Sequence, residues 1–446
     1  MVARADTITE QSVIQSVYSH FPLVLAAEEN IKKARAEFLS AQGAFDPTIR
    51  SNLLISPNGI YQYGNFGAEV SVPIENTGNK VFTGYRIGRG VYPVYDQNLE
   101  TFNYGEVRAG FEIPFLRGNA VDPRRTKINK ADITTHLTTD SYRLEKLKAE
   151  YDASIAYWDW YTAGKQLLLQ KHMLQLAQDR QVALDKSFHA GDVAELDAID
   201  NKRTVMQRQS AVKMQEAIFA KASLMLSLYY RDASGHPIVA SLNNIPGQVN
   251  LNQPVFDKKI LANMNNIINQ HPGVKVFQAQ YSSSLEDLKQ GNNDLLPRIN
   301  NRFYVAQDFG GGNPPLNKTT INYELTFELP INQREAKGQI EAAKKQMEKI
   351  DQERQLQAEQ IAVNIEKSLV QIQATRKIID FTRQETEMAA KVERGENIRY
   401  RNGDSNLFLL NQRELMTVEA ESRYLDAIKN YKNAIAILRF SLGNIA

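Results

Sequence analysis

The sequence has 446 residues, 42% apolar and 23% charged, enough to bury a sizeable core. That composition excludes collagen, wholesale disorder and a small disulfide scaffold, and the complete lack of Cys excludes disulfides, thiolate metal sites and thiol catalysis. A net charge of +2, from 53 basic and 51 acidic residues, is too balanced to indicate a nucleic-acid partner.

No run of 18 consecutive apolar residues offers a transmembrane helix, whereas the weaker alternating signal of a membrane β-barrel stays compatible with the sequence. No signal peptide is legible ahead of the first polar helix. Proline placement frames the rest. None of the 15 Pro falls between Arg124 and His236, and none follows Pro330, so both stretches can be mostly helix.

In chain order, His20-Phe21-Pro22 opens a helix that runs to Ala44-Phe45-Asp46-Pro47. Strands are expected next, within 47–123. Phe66-Gly67-Ala68-Glu69-Val70-Ser71-Val72 alternates with period two, and aromatics crowd the segment 60–115. Turn signals lie at Ser56-Pro57-Asn58-Gly59 and Asn76-Thr77-Gly78-Asn79. A helix from about Thr126 to Ser187 has some 62 residues and would span ~90 Å. Gly191 and Asp192 then close an αα-hairpin, the Gly supplying φ > 0 and the Asp a cap or first-turn charge for the return helix.

A linker over 232–262 leads to a second series. His271-Pro272 opens a helix that ends at Leu295-Leu296-Pro297. Strands follow, with Gly310-Gly311-Gly312-Asn313 as a turn and clear alternation over Ile321–Leu329. A second long helix meets Gly403 and Asp404. The final helix carries Tyr424, Ile428, Tyr431, Ile435, Leu438 and Leu442 at spacings of four and three, a seam for a partner helix.

This order reads as a duplication, with repeats at 1–231 and 263–446 around the linker 232–262. Both Pro-to-Pro helices are 25 residues apart (22 to 47, 272 to 297). Phe111-Glu112-Ile113-Pro114 parallels Phe327-Glu328-Leu329-Pro330, and Gly191 parallels Gly403. Between them the strand regions offer four to six strands. If they enter a membrane, the barrel is shared between protomers, because lipid does not tolerate open sheet edges.

Catalysis finds no foothold. His20, His136, His172, His189, His236 and His271 include no helical metal pair, and Gly310-Gly311-Gly312 lacks the Lys and Ser/Thr of a phosphate loop. No catalytic, cofactor or metal residue is assigned. A structural coiled-coil protein of the periplasm or cell surface would explain the helices, but not strand regions at matching points of two repeats.

The His-Pro helix starts, Leu295-Leu296-Pro297 before a strand region and the Gly hairpins resemble the TolC-like outer membrane efflux proteins over nearly the whole chain. The first repeat departs locally, with Ala44-Phe45-Asp46-Pro47 in place of Asp294-Leu295-Leu296-Pro297. The resemblance implies an α+β membrane protein: a trimeric β-barrel shared between protomers and continued by a long periplasmic α-helical barrel. It implies two strand pairs per protomer and a twelve-stranded barrel, although the longer first strand region leaves room for another hairpin. The implied function is the outer membrane channel of a tripartite efflux or secretion system, a passive exit duct for small molecules or proteins. Implied partners are two further copies, a periplasmic adaptor, an inner-membrane transporter and outer membrane lipid.

It also implies a gate at the periplasmic tip, near Gly191 and Gly403. Family members often carry acids six and nine positions after the second hairpin's glycine. Here those positions are Leu409 and Gln412, while the acids follow Gly191, as Asp197 and Asp200. Tyr400 matches the family pattern, and a Tyr400–Asp197 hydrogen bond is the expected latch. Asn402, Asn406 and Asn411 put amides, rather than acids, at the second tip.

Overall fold

The structure, a computed structural model, describes residues 7–443 apart from 76, 192, 248, 250, 252–261, 314, 315 and 317. In chain order the elements are α1 (Glu10–His20), α2 (Pro22–Gln42), β1 (Thr48–Ser56), β2 (Tyr63–Pro73), β3 (Lys80–Gly90), β4 (Glu106–Pro114), α3 (Pro123–Ala190) and α4 (Glu195–Ser227). There follow α5 (Met264–Gln270), α6 (Pro272–Asp294), β5 (Arg298–Asp308), β6 (Thr320–Glu328), α7 (Arg334–Arg401) and α8 (Leu407–Leu442). Part of the expected linker, 252–261, and the Asp192 cap lie outside the described residues.

Three prolines sit inside helix starts. Pro22, Pro123 and Pro272 are each the first residue of a helix, where the missing N–H has no intrahelical partner to lose. The first long helix therefore begins earlier than expected and has 68 residues, from Pro123 to Ala190. Asp122 fixes its start by accepting from the backbone N–H of Arg124 (2.8 Å) and Arg125 (3.1 Å). Asp404 does not cap the last helix. Asn406 does, accepting from Leu409 N–H at 2.9 Å.

Two compact units each draw on both halves of the sequence. One comprises Met1–Glu29, Asp140–Lys275 and Gln355–Ala446; the other comprises Asn30–Thr139 and Val276–Arg354. The first is helical. Its core gathers Val13, Val17, Tyr157, Trp158, Trp160, Ile428, Tyr431 and Ile435. The heptad stripe of α8 is accordingly an internal seam: Ile428, Tyr431, Ile435 and Leu438 are all buried. The middle of α3 is buried on most sides because it meets three neighbours. Tyr157 Oη donates to Ile8 O (3.2 Å) ahead of α1, Gln215 of α4 donates to Ala163 O (3.0 Å), and Lys429 of α8 pairs with Asp159 (3.5 Å).

His271 is a structural corner of this unit. It is 1% exposed. Its Nδ1 accepts from Gly273 N–H and its Nε2 donates to Phe440 O, both at 3.1 Å, tying the α5–α6 junction to the end of α8. Burial lowers its pKa, opposed by the Phe440 carbonyl.

The second unit holds one antiparallel sheet in the order β1-β2-β3-β4-β5-β6. The start of α3 lies along α6 there, through Thr126–Gln290 (3.0 Å), Asn129–Glu286 (3.0 Å) and Lys130–Asp287 (2.6 Å). The sheet departs from the two pairs the resemblance implies and reaches the top of the four to six strands expected: among the described residues the first half supplies four and the second half two. The additional hairpin is β1–β2, paired from Thr48↔Ser71 to Ser56↔Tyr63. The β4–β5 pairing, Glu106↔Asp308 to Pro114↔Asn300, joins the two halves of the chain.

Candidate functional site: a sheet wall and a hairpin tip

Register sorts every strand residue onto one of two faces. One face carries Ile49, Leu53, Phe66, Val81, Tyr85, Phe111, Val305, Ile321, Leu325 and Phe327. All are exposed large apolar side chains, Phe327 at 63% and Ile49 at 78%. The apolar patch is contiguous across six strands, and a face of that extent marks a surface covered by lipid or by another protein.

The other face carries Arg50, Glu69, Lys80, Arg86, Glu106, Arg108, Glu112, Arg302, Asp308, Glu324 and Glu328. Its charges are cross-paired: Arg86 with Glu106 (2.7 Å), Lys80 with Glu112 (3.1 Å), and both Arg108 and Arg302 with Glu69 (3.0 Å each). Glu69 is on β2 and Arg302 on β5, three strand spacings or ~14 Å along the sheet. Their contact closes over a face that curls inward, so the charged face is concave and the apolar face convex. Arg302 also lies over the Phe82 ring, 4.2 Å from its centroid, which covers the one large apolar side chain buried on that face.

The β3–β4 connection folds back over the concave face. Thr101 Oγ1 accepts from Gly88 N–H (3.0 Å), Asp308 accepts from Phe102 N–H (3.0 Å), and Tyr92 donates to Gly64 O (2.9 Å). Gly88 makes room for it. A Cβ there would sit 2.0 Å from Leu99 O.

At the hairpin tip, Gly191 and Gly403 follow the ends of α3 and α7, both with φ +83° and both with open space where a Cβ would stand. Backbone conformation, not crowding, is what calls for glycine at these two turns. Asp197 is exposed in the first turn of α4, beside Glu195, where the helix dipole favours acids. Asp200 pairs with Arg203 at 2.9 Å. Asp200 and Gln412 line one cleft of about 520 Å³ with Arg203, Arg208, Asn411 and Glu414. Leu409 stands half-buried outside it.

The Tyr400–Asp197 latch is not made. Tyr400 packs instead against the apolar cluster of Leu184, Ala198 and Leu407. Its pKa is raised, first by burial, with Arg180 lowering it and Asp197 raising it, so the carboxylate is near without a hydrogen bond. The tie between hairpins is elsewhere. Glu414 of α8 accepts from both Arg180 of α3 and Arg208 of α4, and it is 3% exposed. Arg180 also donates to Asn411 Oδ1 (2.7 Å) and Arg208 to Met173 O (2.7 Å), which satisfies the remaining guanidinium N–H groups in part. Among the described residues, no cluster of three His, Asp or Glu is placed to hold a metal ion.

A curled sheet, apolar on its convex face and charged on its concave face, has the alternation of a membrane barrel wall, and the same chain carries two 68-residue helices. Comparison with known proteins agrees. Residues 263–444 match the family model described as outer membrane efflux protein. A membrane protein from Pseudomonas aeruginosa superposes with a TM-score of 0.70 at 13% identity, covering 98% of this chain and 91% of that one. The Campylobacter jejuni CmeC outer membrane channel gives 0.67 at 13% identity, with 97% and 85% covered. The Vibrio cholerae outer membrane protein VceC gives 0.67 at 11%, with 97% and 96% covered. No curated protein matches the sequence. The likeness to these solved structures, at 11–13% identity, shows the fold, and the match to the outer membrane efflux protein model lies in the second part of the chain, residues 263–444.

Proposed function

We propose that the chain is the outer membrane channel of a tripartite efflux or secretion system, a non-catalytic, passive exit duct extending into the periplasm. The observation that carries this reading is the sheet: its convex face is apolar and exposed while its concave face is charged and internally paired. Lipid accepts the first and an aqueous lumen the second. A coiled-coil structural protein has no use for such a sheet.

In this reading three copies share the barrel, and the repeats 1–231 and 263–446, joined by 232–262, each contribute one helical hairpin to a periplasmic duct. The hairpin tips around Gly191, Asp197, Asp200, Tyr400, Gly403, Leu409 and Gln412 form its periplasmic constriction, where an adaptor and an inner-membrane transporter dock. The test is purification from membranes in detergent, native mass measurement and conductance in planar bilayers. A conducting trimer is expected. A monomer that stays in the aqueous fraction and does not conduct overturns the reading.

A further inference from the structure

We infer that this channel closes as a barrel of three times six strands, sealed by β1 of one copy against β6 of the next, and is wider than one built from two strand pairs per copy. The inference rests on the shared-barrel reading above and deepens it.

The sheet leaves little choice of seam. β3 is hydrogen-bonded on both sides, to β2 from Tyr63↔Gly90 to Pro73↔Lys80 and to β4 from Lys80↔Glu112 to Arg86↔Glu106. It therefore has no free edge to offer a neighbouring copy. The free edges are β1 and β6, nine residues each. Strands of that length cross a bilayer when tilted. The apolar face continues without interruption onto the added hairpin at Ile49, Leu53, Phe66 and Val70. That hairpin needs lipid as much as the other four strands do. Open edges beside such a face are not tolerated in lipid, so β1 and β6 must find each other.

Register gives an independent check. The hydrogen-bonded row through Asn52, at the middle of β1, runs through Gly67, Arg86, Glu106 and Asp308. Continued onto β6 in its own register it reaches position 318, six residues before the strand's midpoint at Glu324. Setting the two midpoints side by side thus staggers each copy by six residues over six strands. At ~3.3 Å per residue and ~4.8 Å per strand the tilt is ~35°. Closed barrels have tilts of about 35–45°. The even offset also keeps like faces together, Asn52 and Glu324 both being on the charged face.

Charge fits the same seam. Arg50 is the only ionised side chain of β1, and Glu69, its partner in register, is already engaged by Arg108 and Arg302. Among the described residues neither Arg50 nor Glu324 has an ion-pair partner within its chain. At this stagger Arg50 faces Thr326 and has Glu324 and Glu328 on its diagonals, within reach of a long side chain. Barrel diameter grows roughly in proportion to strand number, so the bore is about 1.5 times that of a two-pair design.

The chain has no Cys, so introduced pairs report cleanly. Two full-length variants are compared in native membranes: Asn52→Cys with Glu324→Cys, and Thr83→Cys with Tyr323→Cys. A bifunctional thiol reagent is added and products are separated in denaturant. The first variant should shift to covalent dimers and trimers while the second remains monomeric. Cross-linking of the second alone places the seam at β3 and overturns the six-strand barrel while leaving the trimeric duct intact. A trimer by native mass in which neither pair cross-links also overturns the β1–β6 seam. No trimer by either measure overturns the duct reading itself.

Discussion

Replacing Glu414 with Gln tests whether the hairpins are held together by its carboxylate. The substitution keeps the shape of the side chain and removes its charge. Arg180 and Arg208 are then left facing each other at 12% and 13% side-chain exposure. Breaking a buried ion pair at one partner costs about 3–5 kcal/mol. Two features reduce that here. Each guanidinium keeps a second acceptor, Asn411 or Met173 O, and each retains some solvent. The Gln carbonyl also replaces one of the two acceptor oxygens. A loss of about 2–4 kcal/mol follows, more than the roughly 0.2–1 kcal/mol of an exposed pair. Urea unfolding of the helical signal in detergent measures it. Bilayer conductance measures its consequence, because loosened hairpins should open more often. The triple variant with Arg180→Met and Arg208→Met should recover most of the stability, since no uncompensated charge is left. A Glu414→Gln protein within about 0.5 kcal/mol of the parent, the range of an ordinary surface change, would refute the argument.

The remaining expectations follow from single positions. Phe327→Arg puts a charge on the convex face and should cost about 2–4 kcal/mol at mid-bilayer, measured by urea titration of protein folded into vesicles; unchanged stability contradicts a lipid-facing sheet. His271 is held below the ordinary imidazole pKa by burial, so below about pH 6.5 the unfolded chain takes up the proton first. Stability should fall with pH from there until the folded form also protonates, and His271→Gln should flatten that part of the curve; an unaltered pH slope would rule the residue out. Removing the anchors of the β3–β4 connection with Thr101→Val and Asp308→Ala should release it from the concave face and raise single-channel conductance, and parental conductance would show that the loop does not obstruct the bore.

Several features were legible in the sequence because they are periodic. Alternation located β2 and β6, and proline-free runs located the four long helices. Strand pairing was not legible. The same alternation serves any partner, and only the β4–β5 register shows that the halves share one sheet. The missed tip residue left a trace nonetheless. Continued backward from Tyr424 in steps of three and four, the α8 stripe passes Glu421, Thr417, Glu414, Leu410 and Leu407. A carboxylate on a buried seam needs a cation, and Glu414 has two. Tyr400 misled because a family position carries its residue type but not its surroundings, and here the ring found an apolar cluster.

The uneven halves of the sheet obey one rule. In the proposed duct the helices before and after each strand region emerge on the same side of the bilayer, so strands are added only in pairs. Four and two satisfy it, as two and two would. An added hairpin that merely widened the wall would be chemically separable from the rest. β1–β2 is not, because it brings Glu69, the carboxylate on which Arg108 of β4 and Arg302 of β5 converge. Without that hairpin both arginines would lose the carboxylate they share on the concave face. The β1–β2 hairpin therefore anchors the arginines of the concave face as well as lengthening the sheet, without changing the net charge of that face.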